Sequence, residues 1–155
     1  MRKLDSAEAV LWSIALPGFP QLLTGDYVKG VLFILLEILF NVLSRFNEAI
    51  MLSFLGETIE AARIIDYQWL MFYPCLYMYS MWDAYKSTMK EDKKYMYLPF
   101  VFAAYTVTVG LMVSPKVEVA GLFIGPVFTP MLFLIPGLAI GFGLRAILLR
   151  QNGLP

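Results

Sequence analysis

The stretch ALPGFPQLLTGDYVKG, residues 15–30, is where the fold of this chain is decided. It continues an apolar run that begins like a membrane span. Yet Pro17, Gly18, Pro20 and Gly25, then Asp26 and Lys29, fall where a helix would still be crossing. Either the stretch joins two full spans, or the chain turns back before reaching the far side. The composition around it makes the membrane the first expectation. Of 155 residues, 59% are hydrophobic and 15% charged, against roughly 45–50% and about 25% in soluble chains. One domain of this length has no core large enough to hide that much apolar surface, so lipid is the expected solvent.

Composition also excludes several function classes. Lys+Arg and Asp+Glu both count 12, and no basic cluster is interleaved with aromatics, so nucleic acid is not an expected partner. Cys75 is the one cysteine, which rules out an intrachain disulfide and a cysteine metal cage. The absence of histidine removes the commonest metal ligand and general base. No catalytic residue, no transition-metal site, no haem and no other cofactor is therefore expected; an oxygen-only site for an alkali cation stays open. At the start, Asp5 and Glu8 interrupt the apolar run and no small-residue cleavage site follows, so the segment reads as mature protein rather than a signal peptide.

A spanning helix needs about 20 mostly apolar residues. The segments that approach this are 29–45, 67–85, 95–114 and 129–149, with residues 8–24 as a shorter first candidate. In the last segment Pro126 and Pro130 are expected in a turn leading into the helix, with a kink near Pro136 and Gly137. Residues 46–66 mix charges with apolar positions around Gly56. They read as the tail of the preceding helix followed by a short interfacial helix from about Thr58 to Ile65, or as a plain solvated loop. The expected fold is an all-α, polytopic membrane helix bundle in a single domain.

Charge addresses the opening choice, because Lys and Arg concentrate on the cytoplasmic side. If all five segments cross, Arg2, Lys3, Arg45, Arg63 and Lys116 share one side. Lys29, Lys86, Lys90, Lys93, Lys94, Arg145 and Arg150 lie on the other, and five against seven decides nothing. If residues 8–24 enter and return, only Arg45, Arg63 and Lys116 oppose the remaining nine. The favoured reading is four transmembrane helices plus an N-terminal re-entrant or short fifth helix, with both termini cytoplasmic in the cell membrane. Five full crossings are the competitor, since a kink at Pro17 does not forbid a span.

The pattern Pro17-Gly18-x-x-Gln21-x-x-x-Gly25-x-x-x-Lys29-Gly30, followed by an apolar helix, resembles the hairpin of TM2-domain-like small bacterial membrane proteins. The resemblance covers residues 8–45. It implies a short first helix, a glycine-containing turn and a second adjacent helix, and it carries no site residue.

Within the spans, Glu37 stands out, since a charge at a helix centre costs about 2.5–3.5 kcal/mol on insertion scales. Asn41 and Arg45 follow at four and eight residues and share its face. Tyr73 and Tyr77, one turn apart, are candidates to donate hydrogen bonds to it from the third span. Glu37, Asn41, Tyr73 and Tyr77 thus form a candidate intramembrane polar site, serving either helix packing or proton and cation handling. Tyr67, Trp69, Trp82 and Tyr85 read as interfacial anchors. Asp83 is expected to pair with Lys86 or Lys29. Gly137-x-x-x-Gly141 has the spacing that lets helices approach closely, and internal packing is favoured over pairing of two copies. The run KSTMKEDKK, residues 86–94, reads as a solvated loop or as a contact for anionic headgroups.

These readings point to a small bacterial inner-membrane protein that is not an enzyme. Its expected role is an accessory or assembly component of a membrane complex. The expected partners are the lipid bilayer and another membrane protein or a second copy. The alternative is a small transporter or channel handling protons or cations through Glu37.

Overall fold

Caps and prolines set the limits of the helices in the computed structural model, which describes residues 3–90 and 93–153. The Asp5 carboxylate accepts the Glu8 N–H at 2.7 Å and opens α1, Ser6–Ala15. Helix α2, Phe19–Thr24, lies between two left-handed glycines, Gly18 (φ 95°) and Gly25 (φ 90°). Asp26 caps α3, Tyr27–Ser44. Arg45, at φ 57°, then ends α3 and starts α4, Phe46–Phe54. Helix α5, Thr58–Ile64, is followed by α6, Tyr67–Leu70, and α7, Tyr73–Thr88. Helix α8, Leu98–Val113, runs into a 3₁₀ turn, Ser114–Lys116. A two-stranded antiparallel hairpin, β1 Glu118–Val119 and β2 Leu122–Phe123, turns on Ala120 and Gly121. Both turn residues have positive φ, as a type I′ hairpin turn requires. Helix α9, Gly125–Gln151, completes the described chain.

The fold is all-α apart from that small hairpin. Three stretches are long and apolar enough to cross a membrane: Tyr27–Ser44, Leu98–Lys116 and Gly125–Gln151. Leu35, Val42, Ile135 and Ile147 point outward from α3 and α9 and are more than half exposed, as suits a lipid-facing surface.

Several boundaries differ from those the sequence suggests. The segment 67–85 is two helices, because Pro74 cannot bond back to the Leu70 carbonyl and its ring crowds that group. Helix α7 alone has 16 residues, fewer than the three spanning stretches. Residues 46–54 do not continue α3; the left-handed Arg45 breaks the axis. The fifth segment begins at Gly125 rather than near Thr129, with Pro126 in its first turn and Pro130 inside the helix. Pro130 is accommodated against α8, where a Cβ on Gly110 would lie 2.9 Å from its Cα.

Side-chain contacts along α7 give the molecule its two ends. Ser6, at the start of α1, bonds Thr88 at the end of α7 (2.8 Å). Ile14, near the end of α1, accepts from Tyr77, eleven residues earlier in α7. Between these two contacts α1 descends about 12 Å along α7. The chain then climbs back through α2, so that Lys29 at the start of α3 pairs with Asp83. Arg145 of α9 donates to the Lys94 carbonyl at this same end (3.3 Å). At the opposite end the Asp66 N–H donates to the Ser44 carbonyl (3.2 Å), tying α6 to the end of α3. Ala49, Ala61, Ile65, Leu70 and Leu111 form a buried cluster there.

Candidate functional site

Two polar clusters lie among the apolar helices. The first is built on the end of α3. Glu37 is half-buried, and its Oε1 accepts the Tyr73 hydroxyl at 2.9 Å and the Asn41 amide at 3.4 Å. Asn41, 7% exposed, also donates to Asn47 Oδ1 and accepts the Asn47 N–H, both at 3.1 Å. That N–H belongs to the first turn of α4, which has no earlier helical carbonyl to bond. Asn41 thus caps α4 from α3 and holds the break at Arg45. Arg45 turns away from Glu37 and pairs with Glu48 at 2.8 Å.

The structure joins Glu37, Asn41 and Tyr73 by hydrogen bonds and sets Tyr77 beside them. Tyr77 stacks on Tyr73 with ring centroids 5.4 Å apart, but its hydroxyl donates to the Ile14 carbonyl of α1. Tyr77 is thus a neighbour of Glu37 and not a donor to it: α1 ends at this depth with a carbonyl that accepts the hydroxyl's hydrogen bond. Asn47 joins the cluster through Asn41.

The second cluster anchors the hairpin of α1 and α2. The Gly18 N–H donates to Ser80 Oγ (3.0 Å), and Gln21 Nε2 donates to the Ser80 carbonyl (3.0 Å) and to Asp83 Oδ2 (3.1 Å). Lys29 closes the set on Asp83 Oδ1 at 3.0 Å and on Asp26 at 3.2 Å. Of the two partners expected for Asp83, it is Lys29 that pairs with it. Gln21 is 2% exposed and Ser80 fully buried. The glycines of the motif have steric work to do: a Cβ on Gly18 would meet the Gly30 carbonyl at 2.5 Å, and one on Gly30 would meet Leu22 N at 2.9 Å.

Gly137 and Gly141 lie on the face of α9 that packs on α8. A Cβ on Gly137 would overlap Thr106 Oγ1 and sit 2.8 Å from the Phe102 carbonyl. One on Gly141 would overlap Pro99 Cα and sit 2.8 Å from the Leu98 carbonyl. Both glycines are spent inside the molecule.

Sequence reasoning missed Gln21, Ser80 and Asn47 as parts of these clusters. Gln21 carried a usable signal, an amide in a 17-residue stretch without charge. Ser80, one small hydroxyl in an aromatic helix, carried none. Among the described residues no group of three or more His, Cys, Asp or Glu is arranged to hold a metal ion. Comparison with family models, with curated proteins and with solved structures finds no match to this chain.

Proposed function

We propose that the chain is a multi-pass protein of a bacterial-type inner membrane, acting as a non-enzymatic accessory or assembly component of a membrane complex. In this reading α3, α6 with α7, α8 and α9 cross the bilayer. Helices α1 and α2 form a re-entrant hairpin, and both termini are cytoplasmic. The shallow descent of α1 supports that arrangement: about 12 Å is less than half of a hydrocarbon core of about 30 Å. The likeness of residues 8–45 to TM2-domain-like proteins agrees with a paired hairpin at this position.

The observation that carries the functional reading is the way the intramembrane polar groups are used. Glu37 is held by Tyr73 and Asn41, and Asn41 by Asn47. Such a closed set fixes helices relative to one another, as polar side chains do in membrane bundles. The rest of the molecule offers apolar surface to lipid and to other helices. Extraction in mild detergent with an affinity tag, followed by mass spectrometry, tests this: a stoichiometric membrane-protein partner is expected, and a chain that purifies alone opposes it.

Transport through Glu37 is the second reading. It is favoured by one feature, an apolar cavity of about 360 Å³ lined by Tyr73 and Tyr77 beside the cluster. Under that reading Glu37→Gln abolishes proton- or cation-coupled flux in reconstituted vesicles while the fold survives. Under the accessory reading the same variant keeps the partner and the function.

A further inference from the structure

Between α7 and α8 lies an open groove of about 600 Å³, lined by Cys75, Tyr79 and Trp82 on one wall and Phe100, Ala104 and Thr108 on the other. That is the size of a small-ligand cleft, roughly 300–1,000 Å³. Its lining is almost wholly apolar along its length. Its mouth is different. Trp82 lies 5.5 Å from Phe100 and 6.4 Å from Tyr97 between ring centroids, an aromatic group of the kind that sits at headgroup level.

Beyond that mouth the surface turns basic. Residues 75, 79 and 82 follow helical spacing along one wall, and exposed Lys86 is the next position of the same row. Exposed Lys93 and Lys94 stand four and three residues before Tyr97, in the turn that opens α8. Arg145 is drawn to the same end by the Lys94 carbonyl. Asp83, the acid nearest in sequence to Trp82, is turned to the other side of α7, where Gln21 and Lys29 hold it. Glu91 and Asp92 lie outside the described residues.

From this gradient, apolar in depth, aromatic at the rim and cationic above it, we infer that the α7–α8 groove binds an anionic phospholipid of the bilayer. One acyl chain lies against Tyr79 and Ala104, and the phosphate faces Lys86, Lys93 and Lys94. The inference rests on the reading that α7 lies in the membrane. A zwitterionic lipid offers the groove the same chain but less net charge to the rim. Selectivity is therefore expected to reach about fivefold for each lysine that engages the headgroup.

Trp82 is a native reporter inside the groove. With Trp12→Phe and Trp69→Phe, it becomes the one tryptophan of the full chain. The protein is reconstituted in phosphatidylcholine vesicles containing brominated phosphatidylglycerol or brominated phosphatidylcholine at equal mole fraction. The expected result is stronger quenching by the phosphatidylglycerol, parity after Lys86→Gln with Lys93→Gln and Lys94→Gln, and loss of selectivity after Ala104→Phe, which fills the groove. Equal quenching by the two lipids overturns the inference while leaving α7 in the bilayer. Selectivity that survives Ala104→Phe overturns it too, since the lipid would then be held outside the groove. No quenching by either lipid, with protein covering the groove or α7 out of the membrane, defeats both readings. Native mass spectrometry of the unsubstituted chain in mixed lipid gives an independent measure, and retention of both lipids in proportion to the mixture overturns the inference equally.

Discussion

An acid inside a helix apolar enough to cross a membrane invites a functional explanation, and the atoms around Glu37 supply a structural one first. One of its oxygens takes bonds from two helices, the Tyr73 hydroxyl from α7 and the Asn41 amide from α3 itself. Interhelical hydrogen bonds in membranes average about 0.6 kcal/mol and reach about 1.7. Tyr73→Phe is accordingly expected to lower stability by about 0.6 kcal/mol, measured by denaturant titration in mixed micelles. Asn41→Leu removes the α4 cap as well and should cost more, about 1–2 kcal/mol. Glu37→Gln keeps an acceptor for both donors and should stay close to the parent. A loss with Glu37→Gln exceeding that of Asn41→Leu would mean that the charge itself holds the helices. The sequence made Glu37, Asn41 and Tyr73 visible because a polar residue in an apolar run has few uses. It could not rank Tyr73 over Tyr77, since that choice depends on how deep α1 reaches.

Between elements, the contact of α8 with α9 depends on positions that lack a side chain. Overpacking such a contact costs about 1–3 kcal/mol. Gly141→Ala is expected in that range, because its methyl group would meet Pro99 and the Leu98 carbonyl, backbone that cannot swing aside. Gly137→Ala should fall at or above it. Gly143→Ala, two residues along the same helix, has nothing within 4 Å of the added carbon and should be neutral. The three variants, compared by thermal unfolding in one detergent, separate packing from helix propensity. If Gly143→Ala costs as much as Gly141→Ala, the close contact is not the cause. Helix existence was legible from apolar runs, and the short helix from Thr58 matched its charge pattern closely. Helix limits were less so. Pro74 lies where one expected span divides into α6 and α7, whereas Pro130 lies inside α9.

At the scale of the molecule, the basic residues gather at the end where Ser6 meets Thr88 and Arg145 meets the Lys94 carbonyl. Single-cysteine variants in a Cys75→Ser background test the topology proposed from this. Probes at positions 26, 90 and 150 should react with an impermeant maleimide from the cytoplasmic face, and a probe at 58 from the other. Labelling of positions 5 and 26 from opposite faces would mean that α1 and α2 cross after all. The break at residues 17–25 was legible in its prolines and glycines. What was not legible is the surface that receives the hairpin, because Ser80 and Asp83 lie some sixty residues downstream of the groups they hold.

That distance has a consequence for how the protein is made. Gly18 bonds a residue 62 positions later, and Gln21 bonds residues 59 and 62 positions later. While the ribosome is still adding residues 25–80, the hairpin has no seat, and the Gln21 amide must keep water or headgroups as its partners. Residues 6–24 therefore emerge before the groups that hold them and settle only after those groups are made. The segment joins the bundle as a closing piece, placed once α7 has been made.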